Sequence, residues 1–231
     1  MNWPASCAAV IPCLDEERTI GAVVSAMRLH LRKVLVIDDG SSDRTAELAE
    51  RAGAEVLSHK TTLGKGAALQ QGWQRARNLG FTWALTLDGD GQHCPGDGPI
   101  FFECVDRTSA VLVVGNRMSD ASSMPWLRRF VNRWLSRRLE KLTGRSLPDS
   151  QCGLRLMSLD VWATLPIMAM HFEIESEVLL RFLSEGFRVE FVPIQVIYKG
   201  EQSKIHPWKD TVRWFRWWKK ARVLKSRSSY R

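Results

Sequence analysis

Residues Leu87-Asp88-Gly89-Asp90-Gly91-Gln92-His93 place two carboxylates one residue apart at the end of an apolar run, Trp83 to Leu87. Asp88, Asp90 and Gln92 offer hard oxygen ligands, the chemistry of a divalent cation that carries phosphates. The run reads as a buried strand, and open α/β sheets put their ligands at the carboxyl ends of strands. Gly89 and Gly91 let the backbone turn tightly and a bulky ligand come close. Asp and Gly also dominate plain turns, so the triplet alone is weak evidence. An EF-hand loop is excluded, because His93 stands at its required Gly and Pro99 at its bidentate Glu. His93 and Cys94 hint at zinc, but Asp and Gln oxygens suit Mg²⁺ or Mn²⁺ better.

A second group of acids, Asp38-Asp39-Gly40-Ser41-Ser42, closes the apolar run Val34 to Ile37, and Glu16 lies just past Ala8 to Ile11. In a parallel sheet these strand ends share one edge, so the acids line one crevice. Crowded like charges call for a cation or a polyhydroxyl ligand.

The elements that must position these residues alternate. Candidate strands are Cys7 to Ile11, Val34 to Ile37, Ala54 to Leu57, Trp83 to Leu87 and Ala110 to Val114. Helices are expected over Glu16 to Leu29, Asp43 to Ala52 and Lys65 to Asn78. Further on, Gly153 to Met157 and Phe187 to Pro193 read as strands and Glu173 to Ser184 as a helix. Alternation with short links predicts an α/β fold, a mostly parallel central sheet flanked by helices. The absence of G-x-G-x-x-G after the first strand argues against a dinucleotide site. Gly64-Lys65-Gly66 lacks the upstream Gly and the following Ser/Thr of a phosphate loop.

A chain of 231 residues is long enough for one domain with a full core. Five cysteines without metal-ligand spacing fit a reducing cytoplasm. No run is apolar enough to span a membrane, and the start does not read as a signal peptide. The net charge of +8 is unevenly spread. Residues 199–231 carry eleven Lys/Arg against two acids, and residues 121–145 carry seven against one, so the remainder is net acidic. That distribution points to an anionic surface as partner.

Six motifs in order resemble glycosyltransferase family 2: Val10-Ile11-Pro12-Cys13-Leu14-Asp15-Glu16-Glu17, Val36-Ile37-Asp38-Asp39-Gly40-Ser41-Ser42-Asp43, Leu63-Gly64-Lys65-Gly66, Leu87-Asp88-Gly89-Asp90-Gly91-Gln92, Val114-Gly115-Asn116-Arg117, and Asp149-Ser150-Gln151-Cys152-Gly153-Leu154-Arg155. Within that family the chain is similar to the dolichyl-phosphate mannosyltransferase and polyprenyl-phosphate glycosyltransferase branch, from about Cys7 to Arg213. The resemblance implies a GT-A fold, a single domain over residues 1–231, and transfer from GDP-mannose or a UDP-hexose. It implies that Pro12, Leu14, Glu16, Asp38 and Asp39 contact the nucleotide, and that Asp88, Gly89 and Asp90 serve the diphosphate. Asp90 and Gln92 would be direct ligands of Mg²⁺ or Mn²⁺. Arg117 and Arg128 match positions that hold an acceptor phosphate, Asn132 standing where Ser is common. Lys204 matches a basic loop over the donor, with Lys199 as the alternative. Lys65 reads equally as a donor contact or a solvated first-turn residue. Asp149 is a catalytic candidate, positioning Arg155 or the sugar. Glu173 and Glu175 read as structural, since acids suit a helix start.

Two basic, aromatic segments, about 121–145 and 205–225, read as amphipathic helices. In the second, Trp214, Trp217, Trp218 and Ala221 share a face opposite Arg213, Arg216, Lys219 and Lys220. Clustered Trp with a basic polar face is the profile of a helix in a membrane interface, and the C-terminal helix is read that way. The first is compatible with burying one edge while presenting Arg128 to a phosphate. The expectation is a metal-dependent, inverting glycosyltransferase, peripheral on the cytoplasmic membrane face, whose acceptor is a polyprenyl phosphate or other lipid. A phosphate-free glycan or glycolipid is the alternative acceptor. A nucleic-acid binder is the rival class, but an acidic crevice repels phosphates without a metal. An inactive family member serving as a membrane scaffold is the other rival, distinguished by donor hydrolysis or transfer activity; the sequence shows no lost motif to suggest it.

Overall fold

The computed structural model describes residues 1–119, 124–197 and 207–228, with side chains in the last segment over 211–222. Lys204 and Lys199 lie outside them.

Seven strands form one sheet: β1 (Cys7–Cys13), β2 (Lys33–Asp38), β3 (Glu55–Ser58), β4 (Trp83–Thr86), β5 (Leu112–Asn116), β6 (Arg155–Ser158) and β7 (Val189–Pro193). Their order is β3-β2-β1-β4-β6-β5-β7. All neighbours run parallel except β6, which lies antiparallel between β4 and β5. β1 is buried along its whole length, as a central strand covered on both faces must be. Pairing with β4 stops at Val10, so Pro12 sits past the point where its missing N–H would weaken that ladder.

The helices are α1 (Trp3–Ser6), α2 (Ile20–Met27), α3 (Thr45–Arg51), α4 (Lys65–Asn78), α5 (Gly98–Thr108), α6 (Trp126–Thr143), α7 (Leu159–Trp162), α8 (Ile174–Ser184) and α9 (Pro207–Ser228). α4 keeps its expected bounds, and its inner face, Ala68, Leu69, Trp73 and Ala76, joins the main core against β1, β2 and β4. α2 starts four residues later than expected, because Asp15, Glu16 and Glu17 are engaged by residues 41–45 after β2. α5 was not anticipated, although Pro99 is well suited to the first turn of a helix.

A second, smaller core joins α6, α8 and α9 through Leu139, Leu147, Leu180, Trp214, Trp218 and Ala221. This corrects the membrane-facing reading of the C-terminal stripe. Trp214 and Trp218 are each only 6% exposed, stacked with centroids 5.0 Å apart. The Trp214 indole N–H donates to Ser176 Oγ of α8 at 3.0 Å. None of the described helices is long and apolar enough to cross a membrane.

Candidate active site

The ends of β1, β2, β4 and β5 and the start of β6 meet at one sheet edge, and the expected residues gather there. On one side the loops after β1 and β2 are laced together. Ser42 donates to Asp15 Oδ1 through its amide (2.7 Å) and its hydroxyl (3.1 Å). Ser41 Oγ accepts from the Asp15 amide, Thr45 Oγ1 from Glu16 and Asp43 from Glu17. These bonds hold half-buried Leu14 and Glu16 at the rim, above buried Pro12. Asp38 accepts the Ser41 amide. Buried Asp39 takes the amides of Leu63 and Gly64, each at 2.8 Å, while His59 Nδ1 lies 2.7 Å from its Oδ1. Asp39 therefore anchors the turn that begins α4 and so sets the position of Lys65.

Lys65 is not a solvated first-turn residue. Its Nζ lies 2.6 Å from Asp88 Oδ1 and 2.5 Å from Glu175 Oε1, and its side chain is 12% exposed. Burial works against the ammonium charge, but the two carboxylates outweigh it and raise the lysine pKa well above its ordinary value. Burial likewise opposes the charge on Asp88. Lys65 and then His93, 3.7 Å from Oδ2, overcome it and hold that carboxyl far below the usual range. Asp90 is the opposite case: burial, and then the charge of Asp88, push its pKa up. A cation between the two would relieve that repulsion.

The donor set fits Mg²⁺ or Mn²⁺ shared with a diphosphate. No three His, Cys, Asp or Glu side chains among the described residues group to hold a metal alone. Mg²⁺ is commonly held by one or two carboxylates plus substrate phosphates. The backbone makes room here: a Cβ on Gly89 would meet Cys13 Sγ at 2.5 Å, and one on Gly153 would meet Asp88 Oδ2 at 2.4 Å. The Gly of the Asp149-to-Arg155 motif thus lets β6 approach the acids of β4.

The other side is built on arginines. Asp149, fully buried, grips Arg117 with two side-chain bonds, Nε to Oδ2 at 2.7 Å and Nη2 to Oδ1 at 2.9 Å, and also accepts its amide. Burial opposes ionisation of Asp149, but Arg117 prevails and depresses its pKa. Arg155, expected as a partner of Asp149, instead donates to the carbonyls of Cys152, Glu175 and Ser150. Those bonds fix the motif loop and the start of α8. Arg128, in the first turn of α6, donates to Gln92 Oε1 at 3.1 Å. A buried chain of polar groups then runs outward: Ser136 of α6 to Ser150, Gln151 to Ser150 and Ser176, and Trp214 to Ser176.

Glu175 is the residue whose partner sequence reasoning missed. Its position at a helix start already had a local explanation, and its lysine partner is 110 residues away. A repeated acid, Glu173-x-Glu175-x-Glu177, was the only available signal.

A mostly parallel sheet with acids, a lysine and arginines at one edge defines the GT-A class of nucleotide-diphospho-sugar transferase folds. Glucosyl-3-phosphoglycerate synthase from Mycobacterium tuberculosis, solved in complex with Mn²⁺, UDP and phosphoglyceric acid, has this fold. It matches with a TM-score of 0.71 at 18% identity, over 95% of this chain and 78% of that one. The chain belongs to glycosyl transferase family 2, whose model matches residues 8–163, and it is a glycosyltransferase. Its relatives include the UDP-N-acetylglucosamine–dolichyl-phosphate N-acetylglucosaminyltransferase of Methanococcus voltae, 29% identical over 82% of this chain and 84% of that protein. The polyprenol monophosphomannose synthase of Mycolicibacterium smegmatis is 25% identical over 80% of this chain and 75% of that protein.

Proposed function

We propose that this chain, as one GT-A domain, transfers a sugar with inversion from a nucleotide diphosphate sugar to a polyprenyl phosphate at the cytoplasmic membrane face. The observation that carries the reading is the bond from Arg128 to Gln92. It brings an arginine from the first turn of α6 against Gln92 of the 88–92 motif, which supports an acceptor phosphate held beside the donor diphosphate. Pro12, Leu14, Glu16 and Asp38 line the nucleotide side, and Asp39 positions the turn before Lys65. Lys204 remains a candidate for closing over the donor.

Asp90 and Gln92 would hold Mg²⁺ or Mn²⁺, which supplies Lewis-acid neutralisation of the departing diphosphate when bound. Lys65 adds a buried positive charge beside Asp88, where the diphosphate would lie. An alcohol acceptor would need a general base, because a hydroxyl is a weak nucleophile at neutral pH. A lipid monophosphate, with a second pKa near ~6, is already largely dianionic and needs cations to hold it. Arg117 and Arg128 are suited to that task. Asp149, committed to Arg117, then acts as a positioning residue that aims the guanidinium.

The test is transfer by the purified protein from GDP- and UDP-sugars to a prenyl phosphate and to the matching prenyl alcohol, with Mn²⁺ or with chelator. Metal-dependent transfer to the phosphate alone supports the reading. Efficient use of the alcohol, lost in Asp149→Asn, would make Asp149 a base and the acceptor class wrong. Full activity in chelator would remove the metal from the scheme.

A further inference from the structure

The first three turns of α6 are inside out. The face turned toward the protein carries Asn132 and Ser136, both buried, while the opposite face carries Trp126, Leu127, Phe130 and Val131. These four are 77%, 57%, 64% and 43% exposed. At 100° per residue they fill a single arc, and Arg129, Arg133 and Arg137, all exposed, border or punctuate it. Exposed apolar patches of this kind, rimmed by polar groups, mark interaction sites rather than ordinary surface. The patch continues onto α9, where half-exposed Phe215 packs edge-on against Trp134 with centroids 5.6 Å apart. Arg216, Lys219 and Lys220 are exposed beside it.

We infer that this surface, Trp126 to Arg133 with Phe215, docks the protein onto an anionic lipid interface. The inference rests on the lipid-phosphate reading and locates its membrane contact on α6 rather than on the α9 stripe. Two features favour lipid over other occupants. A second copy packed by a two-fold axis on the same patch would set Arg129, Arg133 and Arg137 against their own counterparts. An anionic headgroup layer instead takes the arginines, while Trp and Phe enter the acyl boundary. The geometry also serves the chemistry. Arg128 lies within the same three turns and reaches Gln92, so a lipid phosphate rising from the bilayer meets the site at the point of docking.

The experiment is co-sedimentation of the full chain with vesicles of phosphatidylcholine, with and without phosphatidylglycerol. The wild type is compared with W126S/F130S and R129Q/R133Q. Transfer to a short-chain, water-soluble prenyl phosphate is measured in parallel, with melting temperature as the control for folding. W126S/F130S should lower vesicle binding about tenfold or more, with melting and soluble transfer unchanged. R129Q/R133Q should weaken binding to the anionic vesicles selectively. Unchanged co-sedimentation of W126S/F130S would overturn the assignment, as would a wild type that ignores vesicles. A wild-type dimer that W126S/F130S converts to monomer, without vesicle binding, would give the patch to a second copy and also overturn it. Patch-dependent vesicle binding without transfer to any prenyl phosphate would retire the acceptor reading and leave the docking surface standing.

Discussion

Helices α6 and α9 have similar sequence character, clustered Trp and Phe interleaved with Arg and Lys, and the fold uses them in opposite ways. α9 turns Trp214 and Trp218 inward onto α6 and α8, while α6 leaves Trp126 and Phe130 in solvent. An amphipathic pattern defines a face but not its neighbour. The neighbour here is set by what lies beneath: the 149–151 loop offers Ser150 Oγ and a backbone amide, and α6 answers with Ser136. That polar seam turns the aromatic face at the start of the helix outward.

The contrast can be broken most forcefully on the buried side. Trp218→Ala should cost about 3–5 kcal/mol, as large aromatic truncations in a core do. Urea unfolding checks this, and a change below about 0.5 kcal/mol would mean that α9 does not hold the tryptophan in a core. Asp149→Asn, beside the seam, leaves the Arg117 guanidinium facing an amide and should cost about 3–5 kcal/mol at neutral pH. The sign of its pH dependence is determined. A depressed folded-state pKa stabilises the fold above the unfolded value near ~3.9, and that stabilisation is lost as pH falls through the folded value. The gap between wild type and Asp149→Asn in acid unfolding should therefore close below about pH 4.

Smaller effects sharpen the comparison. Ser136→Val strips the Ser150 amide of its acceptor and should cost about 1–3 kcal/mol, read from thermal melting. Arg128→Ala should leave melting nearly unchanged but lower transfer to a lipid phosphate about 10–100-fold, the loss of one charge-assisted contact. Trp126→Ala with Phe130→Ala marks the lower limit, with stability expected within about 0.5 kcal/mol of wild type because both side chains are already in water.

Local pattern made much of the molecule legible. The parallel half of the sheet follows from apolar runs alternating with helical stretches, and the crevice follows from acids at the ends of those runs. α4 was readable to the residue because Gly64 precedes it and its apolar spacing is clean. The contacts that shape the site were not, since each joins residues far apart. Lys65 with Glu175, Asp149 with Arg117 and Asp39 with the 63–64 amides leave no periodic trace. The same holds for β6, whose apolar run showed a strand but not its direction. The tryptophans of α9 were misjudged because the second core is assembled from three helices, none of which announces the others.

The antiparallel β6 has a consequence for how the chain folds. β4 and β5 are consecutive strands, yet they never pair; the space between them is filled only by Arg155–Ser158. Until that segment leaves the ribosome, β3-β2-β1-β4 ends in an unpaired ladder, and β5 has no partner from the earlier strands. Exposed edges of that kind template association with other chains. The interval between synthesis of Thr86 and of Ser158 is thus the stage at which the nascent protein is most open to misassembly. Insertion of a four-residue strand closes the gap between β4 and β5, and β7 then covers the far edge of β5.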